Sequence, residues 1–288
     1  MKPTPASHAW LDGRIVPVAE AVLPLDDRSI LYGDSLFETV PIRHGRPFRW
    51  NDHLARLDAG ARITGIDPGL TRTAWTDALG QLLTANGARQ GAVRLTVTRG
   101  SGPRGYSPRG AGPARRFLTW HPSEPAVVPH PGWHLRTSPY RIPAGDPLAA
   151  AKHGSRLLQV LARADAEAHG ADEALLLNSD GCVAEAASGN LFWLRGEALH
   201  LPATDSGALN GITAVALIEQ AAARGMPVIP TRATRDAFAA ADGAFLTLST
   251  LGVVPVLSLD GVALPQPPVI QELAAALQAE MESVSTGL

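Results

Sequence analysis

From Gly91 to Thr98 the chain alternates Val93, Leu95 and Val97 with Arg94, Thr96 and Thr98, the period of a strand with one face in a core and the other in water. Arg14 to Val18, after an Asp12-Gly13 turn, and Ser35 to Ile42, ending at His44-Gly45, read as a further pair of antiparallel strands. Between these strands the period lengthens. Leu70, Trp75, Ala78, Leu79, Leu82 and Leu83 fall on one stripe of a helix over Leu70 to Ala85, with Asp67-Pro68 as N-cap and first turn and Gly87 as the stop. Later segments mix the same two kinds of element. A helix over Ser155 to His169 precedes strand-like EALLLN, a tight turn at Asn178 to Gly181, then CVAEA and NLFWL, which read as successive antiparallel strands. A helix over Ile212 to Arg224 and a β segment from Ala244 to Leu257 follow. Strands and helices mixed in this order predict an α+β chain.

Proline punctuates the pattern once. His121 to Gly132, HPSEPAVVPHPG, lacks backbone donors at its prolines and is unsuited to a helix or a central strand. This gives an expected layout of an N-terminal α/β domain over residues 1–120, a linker over 121–132 and a C-terminal domain over 133–288. At 288 residues and 45% hydrophobic content, both domains have enough apolar surface for a core.

Composition narrows the partners. A net charge of −2 with arginines spread along the chain gives no electrostatic footprint for nucleic acid or an anionic membrane, so a small molecule is expected. The longest uncharged run, Gly243 to Leu259, is broken by Gly252 and Pro255 and reads as buried strands, with no membrane segment expected. The lone Cys182 cannot form an internal disulfide, and Met1 to Trp10 carries no basic-then-apolar leader, both pointing to the cytoplasm. The nine histidines show no paired ligand spacing such as HxxxH, so no metal is expected.

Of the 25 basic residues only Lys2 and Lys152 are lysines. Arginine serves every purpose of a surface cation but stays protonated, so an isolated internal lysine points to amine chemistry. A GC-rich coding bias would leave the same scarcity. Lys152 is hemmed by apolar and small residues in PLAAAKHGS, and loss of solvation favours the neutral, nucleophilic amine. Glu185, thirty-three residues on, sits among small and apolar residues, and a buried carboxylate needs a partner. Gly211-Ile212-Thr213 opens a helix without side-chain bulk, where free amides suit a phosphate. An amine, a buried carboxylate and a phosphate-binding helix start are the attachments that pyridoxal 5′-phosphate requires.

These motifs resemble the fold-type IV pyridoxal phosphate enzymes, the group of branched-chain and D-amino acid aminotransferases and 4-amino-4-deoxychorismate lyase. DDRSILYGDSLFETV (Asp26 to Val40), HLARL (His53 to Leu57), the stretch from Lys152 to Trp193, LNGIT and LSTLGVVPV (Leu248 to Val256) carry the resemblance over nearly the whole chain. It implies a small N-terminal α/β domain and a larger C-terminal pseudo-barrel domain, D-amino acid aminotransferase-like. It also implies that Lys152 is the catalytic amine, that Glu185 faces the pyridine nitrogen, and that Arg56, Ile212, Thr213 and Ser249 hold the phosphate. Thr250 and Tyr32 are implied as substrate contacts.

Within that group TRGSGPRGYSPRGAGPARR (Thr98 to Arg116), KHGSRLLQVLAR and DEALLL resemble the lyase, although Ser155 stands where lyases carry Asn. Arg104, Tyr106 and Arg109 are the candidates for gripping substrate carboxylates through forked bonds. The implied reaction converts 4-amino-4-deoxychorismate to 4-aminobenzoate and pyruvate, a step of folate biosynthesis. The alternatives are a class IV aminotransferase acting on D-amino acids or branched-chain amino acids, and a non-catalytic binding protein on the same fold. The resemblance further implies a homodimer.

Overall fold

A computed structural model describes residues 5–124 and 126–283; Lys2 and Pro125, the latter within the expected linker, lie outside the described residues. The chain forms two compact units, Met1–Pro125 with Ala151–Arg156 and Met281–Leu288, and Ala126–Ala150 with Leu157–Glu280.

The first unit is built on an antiparallel sheet of β1 (His8–Leu11), β2 (Arg14–Pro17), β3 (Ser35–Arg43), β4 (Arg46–Pro47), β5 (Gly91–Thr98) and β6 (Arg116–Pro122), in the order β2-β1-β6-β5-β3-β4. Helix α1 (Arg28–Tyr32) precedes β3, and α2 (Trp50–Thr64) and α3 (Arg72–Ala85) follow β4. Helix α2 buries Trp50, His53, Leu54, Leu57 and Ala61 at helical spacing, and α3 buries Trp75, Ala78, Leu79 and Leu82. Both stripes join Val93, Leu95, Val97 and Leu118 of the sheet in one core.

Three local expectations are corrected here. Strands β2 and β3 do not pair with each other: β2 pairs with β1, and β3 with β4 and β5. Thr71, not Asp67, caps α3, its hydroxyl accepting from Ala74 N–H, while Asp67 closes a turn onto Gly69 N–H. Strand β5 is buried on both faces, because it is central in the sheet and its polar face is also covered. Thr98 Oγ1 donates to the buried Asp27 carboxylate, and Arg94 lies 3.8 Å over the Phe37 ring.

The second unit holds β7 (Trp133–Ile142), α4 (Leu157–Ala168), β8 (Glu173–Asn178), β9 (Val183–Ala186), β10 (Asn190–Arg195), β11 (Ala198–Pro202), α5 (Ile212–Ala223), β12 (Val228–Thr231), α6 (Arg235–Ala239), β13 (Gly243–Leu248), β14 (Gly252–Leu259), β15 (Val262–Ala263) and most of α7 (Pro268–Ser283). Its sheet runs β12-β11-β10-β13-β14-β7-β8-β9, with β15 beside β14. Strands β7 and β8 are parallel, joined by α4, and β11 and β12 are parallel, joined by α5. The expected succession of antiparallel neighbours therefore stops at β9, which pairs with β8 alone, while β10 pairs with β11 and β13. Local alternation marks a strand without naming its neighbour.

The domain boundaries also shift. Strand β6 continues through His121 and Pro122, where the linker was expected to have begun. Residues Ala151–Arg156, expected in the C-terminal domain, pack with the first unit. The reason is an open strand edge. Strand β4 covers only Ile42 and Arg43 of β3, and the backbone of Ser35 to Phe37 beyond it needs partners. Phe37 N–H donates to Lys152 O, Gly154 N–H donates to Ser35 O, and Leu36 bridges His153.

Candidate active site

Lys152 is positioned by that edge pairing. Its ammonium nitrogen lies 4.8 Å from the centre of the Phe37 ring, and Ala151 beside it is fully buried in the first unit's core. Glycine is required after it: a Cβ at Gly154 would overlap Ser35 Oγ and stand 3.0 Å from Gly33 O.

On the neighbouring helix, His53 and Arg56 share one face three residues apart and converge on Glu38 of β3. Glu38 is 1% exposed. Arg56 donates to it through Nε (2.9 Å) and Nη2 (2.6 Å), and His53 Nδ1 lies 2.7 Å from Oε2. A carboxylate only accepts, so the His53 tautomer carries its proton on Nδ1. Burial pushes the Glu38 carboxyl up, but the bonds from Arg56 and His53 outweigh it and hold it below the ordinary carboxylate value. Burial, together with the charges of Arg56 and Lys152, pushes His53 down and outweighs the raising effect of Glu38. Neutral His53, ionised Glu38 and Arg56 thus form a fixed cluster. The forked bond sets the plane of the Arg56 guanidinium.

In the second unit Glu185 lies on β9, largely buried, and accepts from Leu209 N–H (3.0 Å) and Gln159 Nε2 (3.5 Å). Asn190 Nδ2 donates to Leu209 O (2.6 Å), so the chain entering α5 is held from both sides. Gly211 caps α5 with no side-chain bond and no acid in the first turn, and a Cβ at Gly211 would overlap Asn190 Oδ1. Thr213, 3% exposed, has a buried hydroxyl without a hydrogen-bond partner. A cavity of about 580 Å³ opens beside this helix start, lined by Asn190, Phe192, Leu201, Leu209, Asn210 and Val215 among others. Ser249 and Thr250 form the turn between β13 and β14, both half-buried.

The loop between β5 and β6 places the remaining candidates. Tyr32 accepts from Gly105 N–H at its hydroxyl (3.0 Å) and packs against Tyr106, ring centres 5.5 Å apart. Tyr106 is 88% exposed, and Arg104 and Arg109 are exposed as well. The structure therefore joins Tyr32 to the loop, while Arg104 and Arg109 project from it.

Residues 35–259 match the family model described as amino-transferase class IV. The chain belongs to that family. This class IV protein is 32% identical over 252 residues to a Methanocaldococcus jannaschii protein provisionally named a branched-chain-amino-acid aminotransferase, with 88% of each covered. It is 29% identical over 259 residues to an aminodeoxychorismate lyase of Vibrio harveyi, covering 89% of this chain and 92% of the relative. Among solved structures, the T.th. branched-chain amino acid aminotransferase complexed with N-(5′-phosphopyridoxyl)-L-glutamate matches with a TM-score of 0.90 at 29% identity, over 96% of this chain and 95% of that one. The fold is the expected two-unit α+β architecture of fold-type IV. The family comprises pyridoxal phosphate-dependent transaminases and lyases, and that cofactor is the family's own.

The residues present fit that group. An orphaned buried hydroxyl at Thr213, a helix start without a competing acid, and a buried carboxylate held by Leu209 and Gln159 are the donor and acceptor set a phosphate and a protonated pyridine require. From the sequence, Glu38 was a residue shared with the aminotransferases and had no site role, and His53, Gln159, Asn190 and Arg28 were passed over. The three-residue spacing of His53 and Arg56 was the one local signal that a shared partner existed.

Proposed function

We propose that this protein is a pyridoxal phosphate-dependent aminodeoxychorismate lyase that converts 4-amino-4-deoxychorismate to 4-aminobenzoate and pyruvate for folate biosynthesis. The supporting observation is the loop after β5, which presents Arg104 and Arg109 as two separate exposed forks, a match for a substrate with two carboxylates. Bound cofactor supplies the electron sink that lets the carbon bearing the substrate amine give up its proton. Lys152 would hold the cofactor and, as a free amine, take that proton at Nζ. The ring C–O bond to the enolpyruvyl group then breaks with its electron pair going to the oxygen, the ring becomes aromatic, and the released enolate takes a proton to give pyruvate. Glu185 holds the pyridine nitrogen protonated. Ile212 and Thr213 amides, the Thr213 hydroxyl, Ser249 and the Arg56 guanidinium oriented by Glu38 hold the phosphate. Tyr32, Tyr106 and Thr250 shape the substrate space.

A second reading, transamination of branched-chain or D-amino acids, is favoured by the branched-chain aminotransferase relatives. Both readings use Lys152, Glu185 and the α5 start alike. Product analysis with aminodeoxychorismate, D-alanine plus 2-oxoglutarate, and a branched-chain L-amino acid separates them. Release of 4-aminobenzoate is expected; keto acid exchange with no 4-aminobenzoate sinks the lyase reading. A protein that takes up no cofactor and shows no visible absorbance would instead be a binding protein. We further propose a homodimer, since α4 exposes Leu157, Val160 and Leu161 along one side, and a cytoplasmic location, which the single cysteine Cys182 supports. Among the described residues no helix is long and apolar enough to cross a membrane.

A further inference from the structure

We propose that Arg28 is a positioning residue that holds the loop bearing Arg104, Tyr106 and Arg109 in its working shape. Tyr32 holds the loop's tip through Gly105 N–H and the Tyr106 ring, and Arg28 supplies the remaining side-chain bonds to the carbonyls there. Residues 103–110 are exposed, and Gly100, Gly102, Gly105, Gly110 and Gly112 raise the entropy lost when its backbone is fixed. Arg28, by contrast, is 3% exposed, and its guanidinium sits under the loop's turn. Nη1 donates to Gly105 O (3.0 Å) and Ser107 O (3.2 Å), and Nη2 donates to Tyr106 O (3.2 Å). Three successive carbonyls thus converge on one planar cation.

The cation is itself held. Its Nε donates to Asp34 Oδ2 (2.8 Å), and its carbon lies 4.9 Å from the Tyr32 ring centre. The helix that carries it is tied down at Asp27, which caps Ser29 and accepts from Thr98 Oγ1, while Arg28 N–H donates to Gly100 O. Asp34 also accepts from Arg99 Nε (2.7 Å), and Arg99 donates onward to Thr64 O and Gly65 O at the end of α2. One carboxylate therefore links the loop clamp to the helix that carries His53 and Arg56. Only a guanidinium fits: an ammonium has three donors around one point and cannot reach three carbonyls and Asp34 in a plane.

The clamp stands on geometry alone; its role in substrate binding rests on the proposed reading of the loop. The test joins limited tryptic digestion, scored by mass spectrometry at the Arg104–Gly105 and Arg109–Gly110 bonds, with steady-state kinetics on whichever amine the holoenzyme turns over. In Arg28→Gln those two bonds are expected to be cut at least tenfold faster while other sites keep their wild-type rates. KM should rise about tenfold with kcat changed less than about threefold. Arg28→Lys, which keeps the charge, should behave like Arg28→Gln, and it replaces that variant if the neutral one does not fold. Loop cleavage at the wild-type rate in a folded variant overturns the clamp. Faster cleavage with an unchanged KM leaves the clamp standing and overturns the loop's role in binding substrate.

Discussion

Glu38→Gln tests the cluster that orients Arg56. The amide keeps the carboxylate's shape, loses its charge and turns one acceptor into a donor. In one orientation the NH2 group faces Arg56 Nη2 and His53 Nδ1; in the other it faces Arg56 Nε. Either way a guanidinium whose side chain is only 9% exposed loses its counter-charge and at least one acceptor. Breaking a buried ion pair by removing one partner costs roughly 3–5 kcal/mol. One forked bond survives, so the expected loss is about 3 kcal/mol. At about 2–4 °C per kcal/mol, the melting midpoint falls by about 6–12 °C. Tryptophan fluorescence follows the transition, since Trp50 and Trp75 are buried in the same core. The pH dependence gives a second reading. The folded Glu38 carboxyl titrates below its ordinary value of 4.5, so its stabilisation is complete above that value and lost as pH falls through the lower, folded one. The gap between wild type and Glu38→Gln should be constant above about pH 5 and close in acid. A variant within about 0.5 kcal/mol of wild type at pH 7, where neutral surface changes lie, would refute the account.

Lys152→Ala should abolish turnover and the visible absorbance of the bound cofactor while moving the melting midpoint of the cofactor-free protein by less than about 3 °C, since the backbone pairing with β3 remains; retained visible absorbance would remove Lys152 from its role. Thr213→Val removes a hydroxyl that has no partner, so the cofactor-free protein should be as stable as wild type or slightly more so, whereas phosphate-group affinity, read by inorganic phosphate or cofactor titration, should drop about three- to tenfold, the worth of one hydrogen bond. Equal losses in both measurements would mean that the hydroxyl is structural. Gly154→Ala forces a Cβ into Ser35 Oγ and should displace the Lys152 segment from β3, lowering kcat at least tenfold; wild-type turnover would show that the edge pairing does not position the amine.

Much of the second unit could be read from the chain. Strands β8 and β10 and helix α5 appear where short apolar runs and the Gly211 start predict them, because a run of consecutive buried residues or a buried helical stripe is written in adjacent positions. Lys152 and Glu185 were also legible locally, the one as a lone internal lysine and the other as a carboxylate among small and apolar residues. What local pattern could not supply was pairing. Phe37 finds Lys152 because β4 is too short to cover the edge of β3, a vacancy created by the sheet's order. Glu38 meets Arg56 across a strand and a helix, and Arg28 meets three carbonyls more than seventy residues on. By itself the sequence determined which side chains are the candidates for the chemistry and which elements they ride on. Tertiary structure alone decided which backbone edge holds the amine and which buried charges aim the arginines, because unsatisfied hydrogen-bonding groups and buried ions are met by whatever folding brings near, and that leaves no period in the chain.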